Sequence, residues 1–394
     1  MNIVVSKKHS TQQEIPLSKT TKFVVDNRGR TAPTEETGIP LIATNCISNR
    51  NLYPVYENLR YVSQETYDNW FRSHPEPGDL LFTLKGSQNG AVCLAPNPVN
   101  FVIAQDMVAL RVDEKVIDPL FLFAALRSDE VQAQIKNLDV SGVIPHLKKS
   151  DFDKLILPYP ERDIQQSIGQ FYFYTSKKID LLHRQNKTLE AMAETLFRQR
   201  FVEETEDCKI GKLGDEFEFT MGQSPMGASF NEEGIGAPMF QGNADFEFRF
   251  PKERVYTTEP TRFAQKFDTL ISVRAPVGAQ NMAHKKCCIG RGVAAFRYKI
   301  NSNYYTYTYF KLHSLMEEIK KFNDEGTVFG SISKSDFDAL EISIPSLDLI
   351  TEFEQVAKPI NDKIIANCIQ ILTLETLRDT LLPKLMSGEV RVAV

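Results

Sequence analysis

The run KKSDFDKLILPYP occupies Lys148–Pro160, and SKSDFDALEISIP occupies Ser333–Pro345. The pentapeptide KSDFD therefore recurs 185 positions on (334 − 149 = 185). The register then holds without a gap. Leu155 meets Leu340, Pro160 meets Pro345, Ile164 meets Leu349 and Lys178-Ile179 meets Lys363-Ile364. Leu189 meets Leu374, and Thr195-Leu196 meets Thr380-Leu381. Internal repeats decide the reading of a fold, and this one marks a duplicated unit.

The segments after the prolines are predicted to be long helices. Steps of four and three from Phe353 land on Ala357, Ile360, Ile364, Asn367, Ile371, Leu374, Arg378, Leu381 and Leu385. That spacing is a heptad-like seam. The first copy places Ile168, Tyr172, Thr175, Ile179, Leu182, Asn186, Leu189, Ala193, Leu196 and Arg200 in the same phase. A helix from about residue 163 to residue 202 would be roughly 60 Å long. Pro359 is expected to kink the second helix or to end a first short one. Gly388 is a natural stop. Seams this narrow suit helix-on-helix packing, so the two helices are expected to pair as an antiparallel coiled coil.

Upstream of each helix, short β-like runs are broken by turn residues. They are KFVVD, DLLFTL and DMVALRV in one half, and DTLISVRA, CCIG and VAAFRYKI in the other. Helical stretches are expected near residues 119–136 and 304–322. The halves also match one another here. IAQDMVALR (Ile103–Arg111) aligns with IGRGVAAFR (Ile289–Arg297), and GDLLFTLKGSQNGAV (Gly78–Val92) parallels FDTLISVRAPVGAQN (Phe267–Asn281). The fold class is α+β: two tandem globular domains, each followed by a long helix. The expected boundaries are 1–160, 161–206, 207–346 and 347–394.

Composition fits a soluble globular protein of two or three domains: 394 residues, 42% hydrophobic and 25% charged. No run reaches membrane-spanning length, and MNIVVSKKHSTQQE lacks a signal-peptide core, which points to the cytoplasm. Cysteines 46, 93, 208, 287, 288 and 368 form no CxxC pair and have no histidine at ligand spacing. Neither a zinc site nor a disulfide framework is expected. The net charge of −5 argues mildly against an autonomous nucleic-acid binder, although local patches outweigh the sum.

Enzyme signatures are missing. GQSPMGAS (Gly222–Ser229) has the glycine spacing of a phosphate loop, but Ala228 stands where the lysine belongs. GxGxxG, HExxH and GxSxG do not occur, nor does the Asn-Pro-Pro-aromatic run of amino-group methyltransferases. Ser150, Asp151, Ser335 and Asp336 are read as capping or turn residues rather than acid–base groups. His146 and His284 are read as surface or loop histidines.

What remains is a set of turns carrying amides and cations: Lys85–Gly90, Gln241–Asn243, Arg274–Gly278, Gly290–Gly292 and Ile144–Lys149. Arginine reads guanine edges, asparagine and glutamine read adenine, and lysine holds phosphate. Singly, each is an ordinary surface loop; in two matched domains they suggest a DNA-reading surface.

SVRAPVGAQNMA, CIGRGVAAF, GTVFGSISKSDFDALEISIP and TLRDTLLPKLMSGEVRV, with the doubled architecture, resemble the specificity subunit of a type I restriction-modification system. The resemblance implies that each globular domain reads one half of a split double-stranded DNA target. It implies that the helices set the gap and dock two methyltransferase subunits, and that a translocase-nuclease subunit joins for restriction. This chain would catalyse nothing and hold no cofactor; S-adenosylmethionine, and ATP with Mg, would sit on the partners. The implied DNA contacts are Asn45, Lys85, Gln88, Lys148 and Lys149 in the first domain. In the second they are Gln241, Asn243, Arg274 and Arg291, with Lys334 on phosphate. Gln105-Asp106 stands opposite Arg291-Gly292, so Arg291 has no cationic counterpart. Three other readings compete. One is a specificity subunit for a fused restriction-methylation enzyme. Another is a protein–protein scaffold with a coiled-coil spacer. The last is a hydrolase assembled across loops.

Overall fold

The computed structural model describes residues 2–5, 13–26, 29–139, 144–203, 208–274, 276–323 and 330–393. The chain forms two compact units, one of Met1–Leu182 with Ile371–Val394 and one of His183–Gln370.

In the first unit a four-stranded antiparallel sheet has the order Thr21–Val25, Met107–Val112, Leu80–Thr83, Val92–Leu94. In a second sheet, Ile39–Ile42 lies between antiparallel Arg60–Val62 and parallel Val102–Ile103. The second unit repeats both. Its four-stranded sheet runs Phe217–Met221, Val293–Tyr298, Thr269–Ser272, Gln280–Met282. Its Ala237–Phe240 strand lies between antiparallel Tyr256–Thr257 and parallel Cys287–Ile289.

DLLFTL and DMVALRV form strands buried on both faces, because alternate side chains enter different cores. Leu80, Phe82, Val108 and Leu110 face one cluster with the helices. Leu81, Cys93, Met107 and Ala109 face the other, under the three-stranded sheet. In the second unit Ile271, Ala294 and Phe296 divide from Leu270, Val293 and Ala295 in the same way. The repeat extends to an ion pair on a buried carboxylate: Arg111 donates to Asp79 at 3.1 Å, and Arg297 donates to Asp268 at 2.6 Å.

KSDFD folds into matching capped turns. The Asp336 carboxylate accepts the Ser333 backbone N–H at 2.7 Å, while the Ser333 hydroxyl accepts that of Asp336 at 3.3 Å. In the first copy Asp151 accepts the Lys148 N–H at 3.3 Å. Phe152 and Phe337 then plug the cores against Phe82 and Phe296. The hydroxyls of Ser335 and Ser333 lie 2.8 Å apart.

The first long helix covers Arg162–Arg198 and ends in a wide turn, Gln199–Glu203. The second covers Leu347–Met386 without interruption. Pro359 was expected to kink or end it, but the helix continues through it. Pro359 and Gln355, whose carbonyl loses its partner, both lie on the exposed face, where a lost backbone bond costs least.

In each unit the start of one helix lies antiparallel to the end of the other. In the first, Arg378 sits 5.6 Å over the Tyr172 ring, and Ile179 and Leu182 pack with Ile371. In the second, Asn367 donates to Asn186 at 2.8 Å, and Phe197 packs on Phe353 at 5.5 Å. Every residue of both seams is buried or half-buried. Among the described residues, no helix is long and apolar enough to cross a membrane.

Candidate nucleic-acid interface

The four-stranded sheet of the second unit ends in a row of backbone hydrogen bonds. Gly292 N–H donates to the Gln241 carbonyl at 3.1 Å, Val273 N–H to Gly292 at 2.9 Å, and Ile332 N–H to Val273 at 3.1 Å. Four segments are thereby laid side by side. At about 4.8 Å per step the row is roughly 14 Å wide. Gln241 and Arg291 stand at one end, Arg274 follows Val273, and Lys334 comes two residues after Ile332. All four are exposed. Asn243, half-buried, opens the short Asn243–Asp245 turn beyond Gln241.

The first unit repeats two of the row's three bonds. Leu84 N–H donates to the Asp106 carbonyl at 2.9 Å, and Leu147 N–H donates to Leu84 at 2.8 Å. Lys85 follows Leu84, and Lys148 and Lys149 follow Leu147. Lys85 bridges His146 as Arg274 bridges Ser331, so the two cations hold one position. Gln88 is exposed in the turn beyond Lys85, which is closed by Gly90 N–H on the Thr83 carbonyl at 2.9 Å. Asn45 is exposed on the Thr44–Cys46 turn after the Ile39–Ile42 strand, the same place that Asn243 takes.

Charge differs between the two edges. Lys149 is ion-paired with Asp26. By strand register the position of Asp26 is taken by Met221, which carries no charge, and among the described residues Lys334, Arg274 and Arg291 have no carboxylate partner. The second edge is the more cationic. Its local structure depends on a residue that the sequence reading missed, Ser224. The Ser224 hydroxyl donates to the Gln241 side chain at 2.8 Å and accepts the Arg291 N–H at 3.2 Å. Serine in a glycine-rich loop 67 residues before Arg291 carries no signal in sequence (291 − 224 = 67). Gln105, in the turn beside Asp106, donates to the Thr31 hydroxyl at 3.1 Å.

His146 is half-buried beside Lys85. The His284 ring packs tilted against Phe250, with centroids 4.8 Å apart, and burial lowers its pKa. Among the described residues, no group of three or more His, Cys, Asp or Glu is placed to hold a metal ion.

The pattern of the type I restriction modification DNA specificity domain matches this chain twice, over residues 25–191 and 205–377. The chain belongs to the type I restriction-modification DNA specificity family. This specificity chain is 27% identical over 379 residues to a protein of Methanocaldococcus jannaschii named as the MjaX type I restriction enzyme specificity subunit, covering 91% of this chain and 88% of that one. It is 23% identical to the MjaIX specificity subunit of the same organism, over 90% of this chain and 87% of the other. The crystal structure of a type I restriction-modification S subunit from M. genitalium shares the fold. It has a TM-score of 0.64 at 17% identity and covers 96% of this chain and 98% of that one. The two matched rows of this specificity chain thus lie one in each of its two DNA specificity domains.

Proposed function

We propose that the two rows are the DNA-reading edges, and that each unit reads one half of a split target. The carrying observation is that two bonds of one hydrogen-bonded row recur in both units, with a cation at the Lys85/Arg274 position and another at Lys149/Lys334. The second unit's row of roughly 14 Å matches a major groove about 12 Å wide with its flanking phosphates. Asn45, Gln88, Gln241 and Asn243 supply amide edges for bases; Lys148, Lys149 and Lys334 serve phosphates. Residues 1–160 and 207–346 are the recognition domains, and the long helices fix the gap between half-sites.

The same helices would dock methyltransferase subunits. Met192 and Leu377, 185 residues apart on the two helices, are 50% and 43% exposed. Matched apolar positions on duplicated helices suit two copies of one partner. The chain itself would direct methylation and restriction without catalysing either.

The test maps methyladenine genome-wide in cells carrying the chain and its methyltransferase. Arg274→Ala should abolish or relax one half of a two-part target, and Lys85→Ala the other. Equal loss at both halves from either change would overturn the assignment.

A further inference from the structure

Gln105 and Arg291 hold one structural position. The residue before each donates its N–H to a neighbouring strand: Ala104 to Ile42 at 2.9 Å, and Gly290 to Phe240 at 2.9 Å. The residue after each accepts the row's next bond, Asp106 from Leu84 and Gly292 from Val273, again at 2.9 Å. Backbone is thus fixed on both sides of a residue whose side chain differs in kind between the units. In the second unit the turn is tighter still. A Cβ at Gly290 or Gly292 would run into Gln241. Arg291 has its N–H held by Ser224 and its side chain exposed.

A side chain presented from a rigid turn is preorganised for recognition, since little backbone freedom is left to lose on binding. The chemistry of the two side chains then separates them. Arginine offers a planar fork of donors, which matches the O6 and N7 acceptors of guanine. Glutamine offers one acceptor and two donors, which matches N6 and N7 of adenine. The Gln105–Thr31 bond uses one amide N–H and leaves the second N–H and the carbonyl oxygen.

We propose that residues 105 and 291 are the same reading position in the two domains, so that the first half-site requires adenine there and the second requires guanine. This rests on the DNA-edge reading of the rows given above. Three other paired positions carry like residues, Lys85 with Arg274, Lys149 with Lys334 and Asn45 with Asn243, whereas Gln241 stands opposite Ala43 and Lys148 opposite Ser333. Position 105/291 is thus a place where the half-sites diverge in chemistry while the backbone that presents them is held alike.

The test uses the full complex with its methyltransferase subunits and maps methyladenine for Arg291→Gln and Gln105→Arg separately. Arg291→Gln should move one base of the second half-site from guanine toward adenine and leave the first half-site alone. Gln105→Arg should do the reverse in the first. The lost discrimination should be roughly 5- to 150-fold per position. An unchanged target overturns the proposal. So does weaker methylation at an unchanged target, which would make the residue a phosphate contact. Arg274→Ala in the same assay separates two failures. If it weakens the second half-site while Arg291→Gln leaves the target unchanged, the edge faces DNA and only this position is misread. If neither changes methylation, the edge itself is wrong. Should Arg291→Gln fail to fold by thermal melting, Gln105→Arg decides.

Discussion

Glu216 and Glu354 are buried in the second unit on opposite sides of Tyr307. The Tyr307 hydroxyl donates to Glu216 at 2.5 Å, and its backbone N–H donates to Glu354 at 2.7 Å. Burial raises both carboxyls to about 7, against the pull of Lys311 on Glu216 and of Lys358 on Glu354. A folded-state pKa above the unfolded value gives stability that is complete below about pH 4.5 and lost as pH rises through about 7. Each group should therefore withdraw on the order of 3 kcal/mol across that window. The corresponding first-unit positions hold Thr20 and Gly169, so the effect belongs to the second unit. Melting of the wild type should shift downward from pH 5 to 8 relative to Glu216→Gln/Glu354→Gln, which keeps both acceptors. Parallel pH profiles would refute this. At this scale the sequence was legible where a motif repeats. The capping role of Asp151 and Asp336 could be read from KSDFD, because a cap is a local contact. Ser224 could not, since its partners come from distant loops and only the fold brings them together.

Gly169 shows how the first long helix meets its domain. A Cβ there would lie 2.5 Å from the Phe121 backbone N and 2.8 Å from the Leu120 carbonyl carbon. Those atoms begin the Pro119–Leu126 helix, whose N–H groups at Leu120 and Phe121 are capped by Asp118 at 3.0 Å. In the second unit the equivalent helix, Tyr305–Ser314, has no side-chain cap of its own. The residue 185 positions after Gly169 is Glu354, and its carboxylate reaches across to take the Tyr307 N–H. One unit caps its helix locally and packs close. The other caps it from the long helix, through the Glu354 carboxylate. Gly169→Ala should thus destabilise the first unit by about 1–3 kcal/mol, although alanine favours a helix by about 1 kcal/mol. Urea unfolding measures it, and a gain in stability would mean that the two helices separate freely. The long helices themselves were plain from the three-and-four spacing, which outweighed Pro359. Sheet order was not plain. The parallel pairing of Leu41 with Val102 joins residues 61 apart (102 − 41 = 61), and no local pattern encodes it.

In the whole molecule the end of the chain, from Ile371 on, belongs to the first unit, against sequence order. Leu382, Leu385, Met386 and Val390 are each at most 8% exposed and belong to the core that holds Leu80, Phe82 and Phe121. Val390–Ala393 also pairs with Asn2–Val5. Four such side chains contribute roughly 6–12 kcal/mol of burial, which is comparable to the stability of a whole domain of about 5–15 kcal/mol. A chain ending at Gln370 should therefore lose the first unit, although the cut lies next to the second in sequence. The second keeps its full complement, His183–Gln370. Hydrogen exchange read by mass spectrometry should show residues 29–139 losing protection while residues 208–274 retain it. In cells, the half-site lost should be the one that Lys85→Ala affects, not the one that Arg274→Ala affects. Loss of protection confined to residues 208–274 would show that the terminal helix supports its own domain. It would also sever the link between duplication and reciprocal capping, in which each copy's helix completes the core of the other.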